Sequence, residues 1–157
     1  MIALNFDKTI KGACTLDKHE NWIEVGSVSF NVSRSVEFKS QGADRTTSVA
    51  KFSEINLSRQ VDVASADLFS QSVSGESLGK ATIDLIRSDS NTHKTYMQII
   101  LYEPIITHYN ISSSNGDTAN ESLTINFTKI SVEYNDQGVD QSQQKGWDIT
   151  KSAELAA

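Results

Sequence analysis

The sequence predicts an all-β domain, a barrel or sandwich that carries one short helix. Three observations lead there. Much of the chain alternates apolar and polar residues in twos, as in Ala81-Thr-Ile83-Asp-Leu85 and Leu123-Thr-Ile125-Asn-Phe127, which places one set of side chains on a core face and the other outside. Two of these runs change parity partway, the mark of a bulge or a sheet corner. Helical spacing stands out at one place, Ala66–Ser74.

The elements follow in chain order. Ile23 and Val25 share one parity, whereas Val28, Phe30 and Val32 take the other, with Gly26-Ser27 between them. Ser33–Val49 reads as a long loop with Gly42 and scattered charges, and Ile55-Asn-Leu57-Ser resumes the alternation. In the helix, Ser65 is the expected cap, Asp67 suits the positive end and Gly75 the left-handed stop. Leu68, Phe69 and Val73 are expected to form one apolar stripe against the sheets. Strands are expected at Ala81–Leu85 and Ile105–Ile111, followed by a loop at Ser112–Glu121 containing Asn115-Gly116. The second change of parity separates Leu123, Ile125 and Phe127 from Ile130, Val132 and Tyr134, and Asn135–Lys145 reads as a polar loop, with Val139 its one apolar side chain. No linker-like shift or repeat divides the chain, so residues 1–157 read as a single domain.

Composition excludes several partners. Twenty acidic residues against 14 basic give a formal charge of -6, and no two Lys or Arg residues are adjacent. Nothing here forms a basic stripe for nucleic acid. The single Cys14 cannot make an internal disulfide, so the fold does not depend on an oxidising compartment. The first 25 residues lack the apolar run of a signal peptide, and stretches such as Ile99–Tyr102 are far too short to cross a membrane. The expectation is a chain that starts in the cytoplasm and leaves, if at all, by a route that reads no cleavable signal.

Chemistry-bearing residues are scattered. His19 falls in the charged turn Asp17-Lys-His-Glu20, His93 in a hairpin turn and His108 on a strand, with no metal-ligand spacing. No nucleophile elbow, phosphate loop or dinucleotide fingerprint occurs, and the carboxylates are spread singly rather than paired for glycoside hydrolysis. Neither a catalytic residue, a metal nor a cofactor is expected. The Asn-x-Ser/Thr triplets at Asn31, Asn56, Asn110, Asn120 and Asn126 reflect a Ser/Thr/Asn-rich chain. Trp22, Trp147, Tyr96, Tyr102 and Tyr109 leave open a sugar-binding face on a β-sandwich. From pattern alone this is a β-rich binding or assembly module.

Three stretches in order resemble the haemolysin co-regulated protein (Hcp) family, the tube subunit of the type VI secretion system. The first is Ile10-Lys-Gly-Ala-Cys-Thr-Leu-Asp-Lys-His19, running on through Trp22-Ile-Glu-Val25 to Ser27-Val-Ser-Phe30. Next comes Val63–Gly75 with Ala81-Thr-Ile-Asp-Leu-Ile86. The third is Glu121-Ser-Leu-Thr-Ile-Asn-Phe127 through Tyr134, then Gly146-Trp-Asp-Ile149. Ala13-Cys14 stand where many members have Glu-Ser, and Asp67 stands near where Pro often opens the helix.

The resemblance implies a small β-barrel of two antiparallel sheets with one flanking helix, of the phage tail-tube kind. It implies a structural, non-enzymatic subunit: six copies form a ring, rings stack, and a contractile sheath expels the tube with a spike protein at its tip. Baseplate, spike, sheath and small effectors carried in the lumen would be its partners. In this reading Gly42, Asp44 and Arg45 of the extended loop contact the neighbouring subunit or ring, and Ser29 and Asn31 face the lumen. A phage-like tail-tube subunit is the nearest alternative.

Overall fold

The structure, a computed structural model, describes residues 1–38, 45–135 and 143–155. Strands β1 (Ile2–Phe6) and β2 (Ile23–Val25) are followed by β3 (Ser27–Ser29), β4 (Val32–Ser33) and β5 (Val36–Phe38). Then come β6 (Arg45–Thr47), β7 (Lys51–Phe52), β8 (Ile55–Gln60) and the helix α1 (Ser65–Ser74). Strands β9 (Lys80–Asp89), β10 (Thr92–Tyr102), β11 (Ile105–Ser112) and β12 (Asn120–Asn126) lead to β13 (Lys129–Tyr134), β14 (Gln143–Asp148) and β15 (Ala153–Glu154).

Two antiparallel sheets share one core, as expected. A seven-stranded sheet runs β15-β14-β13-β10-β9-β1-β2, and a four-stranded sheet runs β11-β12-β8-β3. Leu4, Ile23, Ile83 and Leu101 from the first meet Ile55, Leu57, Leu123 and Ile125 from the second, all buried in one cluster. Burying each such side chain stabilises the fold by about 1.5–3 kcal/mol. Among the described residues no hydrogen-bonded ladder closes the two sheets into a complete barrel. Their edges, β15 and β2 on one and β11 and β3 on the other, stay open.

The two changes of parity are both corners. Between Val25 and Ser27 the chain leaves the seven-stranded sheet for the four-stranded one, and the Gly26 N–H donates to the Ser58 carbonyl at 2.7 Å. At Phe127–Thr128 it crosses back from β12 to β13. A residue on the inner face of one sheet must be followed by a phase step to reach the inner face of the other. True bulges occur elsewhere, between Thr95 and Met97 of β10 and between Ile106 and His108 of β11.

The helix departs from expectation in two ways. It starts at Ser65, and its N-cap is Ala64, with no side-chain capping bond. The Ser65 hydroxyl instead accepts the Asp62 N–H at 3.0 Å and donates to Glu121 Oε1 at 3.1 Å. The apolar stripe also divides: Leu68 is fully buried, whereas Phe69 is 56% and Val73 72% exposed. Residues one apart on a helix point about 100° apart, so burying Leu68 turns Phe69 and Val73 aside. Gly75 does terminate the helix, at φ 66° with its N–H on the Gln71 carbonyl.

What fixes α1 to the sheets is a buried ionic cluster that alternation alone did not reveal. Arg59 of β8 lies on the core face beside Ile55 and Leu57. Its guanidinium donates to the Glu24 carbonyl at 2.9 Å and pairs with the carboxylates of Glu121 and Asp62. The Tyr109 hydroxyl of β11 donates to Glu121 Oε2 at 2.5 Å. Burial first, then the hydrogen bond and charge of Glu121, push the Tyr109 phenol up to about 12.

Removing one partner of a buried pair strands the other without compensation. Arg59→Met should therefore cost about 3–5 kcal/mol in denaturant unfolding, with Arg59→Met/Glu121→Leu recovering part of the loss. The Tyr109 phenol ionises more readily in the unfolded chain, near its ordinary value of 10.0, than in the fold, at about 12. Its contribution is complete below the lower value and lost as pH rises through the upper. The stability gap between wild type and Tyr109→Phe should narrow across that window, and a constant gap would refute it.

Candidate functional site

The outward face of the four-stranded sheet follows from its alternation. Every inward residue of β8 and β12 belongs to the core or the ionic cluster, and every outward one is polar. Register assembles these into rows across four strands: Ser29, Asn56, Thr124 and His108 in one, and Ser27, Ser58, Ser122 and Asn110 in the next. Gln60, Asn120 and Ser112 form a third. No Asp, Glu, Lys or Arg occupies any of these positions. Ser27 and Ser58 share a hydroxyl hydrogen bond of 2.5 Å, and Thr124 Oγ1 donates to Asn56 Oδ1 at 3.0 Å. The β11 bulge adds Thr107 beside His108, and at the border Thr107 donates to Glu54 Oε2 at 2.9 Å.

Of the residues expected to face a lumen, Ser29 lies in this grid at the end of the open strand β3. Asn31 lies just beyond it, exposed, with its N–H on Ser53 Oγ at 2.7 Å and its carbonyl accepting the Ser53 N–H. Ser29 and Asn31 are both exposed, and the outward residues of the other strands were concealed because their register is not written in any single segment.

The expected contact loop is in part a hairpin. Strands β5 and β6 pair with each other and belong to neither large sheet, and every residue of both is exposed. Arg45 opens β6, exposed and opposite Phe38. Gly42 and Asp44 lie outside the described residues. Strands β4 and β7 form a second small ladder at the base.

His19 lies in the charged turn and is buried there. It is 8% exposed, its Nε2 lies 2.8 Å from Asp84 Oδ2, and its ring meets Trp22 edge-on at 4.6 Å. Asp84 also accepts from Thr95 Oγ1 at 3.2 Å and Gln98 Nε2 at 2.8 Å. The remaining imidazole nitrogen is 3.4 Å from the Asp17 carbonyl. Thr95 thus points its hydroxyl at the carboxylate rather than the imidazole, which is not the order a nucleophile and its base require. The pair instead holds the 14–22 turn against β9. The same turn demands Gly12: a Cβ there would sit 2.2 Å from the Trp22 carbonyl oxygen. Among the described residues no three His, Cys, Asp or Glu side chains gather as metal ligands, and no helix is long and apolar enough to cross a membrane.

Comparison with known proteins identifies the family and the fold. The family model described as "Type VI secretion system effector, Hcp" matches residues 4–134. A solved structure described as a type six secretion system protein superposes with a TM-score of 0.88 at 20% identity, covering 98% of each chain. Hcp1 from Salmonella typhimurium gives 0.80 at 23% identity over 98% of this chain and 97% of its own. Hcp2 from the same organism gives 0.76 at 25% identity, covering 98% and 99%. No curated protein matches the sequence. These solved structures share the fold over 98% of the chain, and the family match runs from within β1 to the end of β13, taking in α1. The chain belongs to the Hcp family of type VI secretion proteins.

Proposed function

We propose that this chain is the tube subunit of a type VI apparatus: six copies close into a ring and rings stack. A contractile sheath then expels the tube from the cytoplasm to the outside. The single observation that carries this reading is the uncharged polar face of the four-stranded sheet, bordered on both sides by the open strands β3 and β11. Head-to-tail contacts between such edges generate a closed ring when the rotation per copy is right. The ring then presents hydroxyls and amides inward, able to hold small effectors by hydrogen bonds without demanding one charge pattern. Ser29 and Asn31 are the lumen residues in this reading. The hairpin, in which Arg45 opens β6, and the loop residues Gly42 and Asp44, which lie outside the described residues, are the expected contacts with the adjoining subunit or ring. The spike, sheath and baseplate are the remaining protein partners. Nucleic acid and membrane lipid are not among them, given the formal charge of -6.

Sizing chromatography with negative-stain microscopy tests the assembly directly. Ring-shaped particles of six copies are expected, and a monodisperse monomer would refute the reading. Deleting residues 40–46 should leave the fold intact and abolish stacked tubes; unchanged stacking would remove the loop from that role. Ser29→Gln should keep hexamers while losing co-purified effector, and retention of the effector would place cargo elsewhere.

A further inference from the structure

The loop that joins β11 to β12 contains Asn115-Gly116, and none of the other nine asparagines is followed by glycine. The side-chain amide carbon of an asparagine lies within five-membered-ring reach of the next residue's backbone nitrogen. What protects most asparagines is the side chain of that next residue, which crowds the approach; glycine has none. Elsewhere in this chain the following residue always carries a Cβ, and it is Phe, Trp, Val, Leu or Ile after six of the nine.

The fold leaves this pair open to reaction. Every residue from Ser112 to Thr118 is exposed, and nothing lies within 4 Å of where a Cβ on Gly116 would stand. Gly116 takes φ 90°, a left-handed conformation that glycine adopts without strain. One backbone bond closes the turn, from the Asp117 N–H to the Ser114 carbonyl at 3.1 Å. Among the described residues, neither the Gly116 N–H nor the Asn115 side chain has a hydrogen-bond partner. Attack requires Asn115 to rotate about its Cα–C bond, and only that single turn bond resists. Exposed segments with so few contacts open at little cost.

Position gives the reaction a consequence. Ser112 and Asn120 pair at the ends of β11 and β12 and belong, with Gln60, to the third uncharged row. The loop continues directly from that row, and Asp117 is the only charged residue in it.

We propose that Asn115-Gly116 is a site of self-modification. The Gly116 nitrogen bonds to Asn115 Cγ, the Cγ–Nδ2 bond breaks, and ammonia leaves with the Gly116 amide proton. Water then opens the cyclic imide at one of its two carbonyls. Cleavage between Cγ and nitrogen gives aspartate on the ordinary backbone. Cleavage between the main-chain carbonyl and nitrogen gives isoaspartate, whose backbone is one methylene longer. The net change consumes one water and releases one ammonia, with no oxidant and no cofactor. Either product doubles the acidic charge of the loop and takes the formal charge one unit below -6. The edge of the uncharged rows thereby gains a charge that responds to salt. None of this depends on the ring reading.

The purified chain is incubated in mildly alkaline buffer, where the attacking nitrogen loses its proton more readily. Ammonia release, isoelectric focusing and peptide mass spectrometry follow the reaction. One ammonia per chain, an acidic shift of one charge and the mass gain of exchanging NH2 for OH are expected, with the last localised to Asn115 and part of it present as isoaspartate. Asn115→Asp should focus with the aged product, and Asn115→Gln should lose both the ammonia and the shift. A free peptide of residues 112–119 supplies the unhindered rate, and the folded chain should react within about tenfold of it, because opening the turn costs little. A chain slower than that peptide by more than about a hundredfold would overturn the proposal, since the fold would then be protecting the pair. A mass gain spread over the other asparagines would overturn it as well.

Discussion

The buried guanidinium of Arg59 is the constraint on which the arrangement of this molecule turns. It reaches the Glu24 carbonyl of β2, the Glu121 carboxylate of β12 and the Asp62 carboxylate ahead of α1. Glu121 then takes hydrogen bonds from Ser65 and Tyr109. Apolar burial between the sheets would tolerate some sliding, because it has no direction. Directed, charge-assisted bonds do not. The cluster therefore fixes where the helix begins and how β11 lies against it. Tyr109 in turn holds its ring edge-to-face with Phe69 at 6.0 Å on the outer surface, so that contact inherits its geometry from an ion pair in the core.

The architecture was legible in the sequence where local pattern equals structure. Ile55 and Leu57, or Leu123 and Ile125, alternate with polar residues, and both runs become strands with one buried face. The parity steps at Gly26-Ser27 and at Phe127-Thr128 are the two places where the chain changes sheets. What failed to show was anything depending on a partner distant in the chain. Arg59 and Glu121 continue the inward parity of their strands, so a signal was present. It is easily taken for the end of the apolar run, because a charge on a core face makes sense only when its counter-charge, 62 positions away, is known. His19 was similarly placed in a charged turn without a partner in view, since Asp84 reaches it only through the fold and is itself held by Gln98.

The helix teaches the same lesson in a different form. Leu68, Phe69 and Val73 suggest a single face, and Ser65 has the composition of a cap. Tertiary bonds take the Ser65 hydroxyl away from the helix end, and burial of Leu68 leaves its apolar neighbours outside. Local preference yields because each cap or propensity contribution is about 1 kcal/mol, less than the burial and pairing that compete with it. The candidate surfaces divide along this line. Ser29 and Asn31 were expected outside the core from parity and are exposed, whereas the rows extending across β8, β12 and β11 needed the register of four strands.

The formal charge of -6 is distributed with a bias that those rows make visible. Carboxylates and ammonium groups are absent from all eleven positions of the three rows. A surface bearing fixed charges changes its reach with ionic strength, since the screening length shrinks from about 30 Å in dilute salt to about 3 Å at one molar. A surface of hydroxyls and amides with a single imidazole, that of His108, acts mainly over the length of a hydrogen bond. Its hold on a neighbouring molecule is therefore nearly the same in cytoplasm, in fresh water or in brine, and whatever rests on it is neither pulled in nor driven off when the surrounding medium changes.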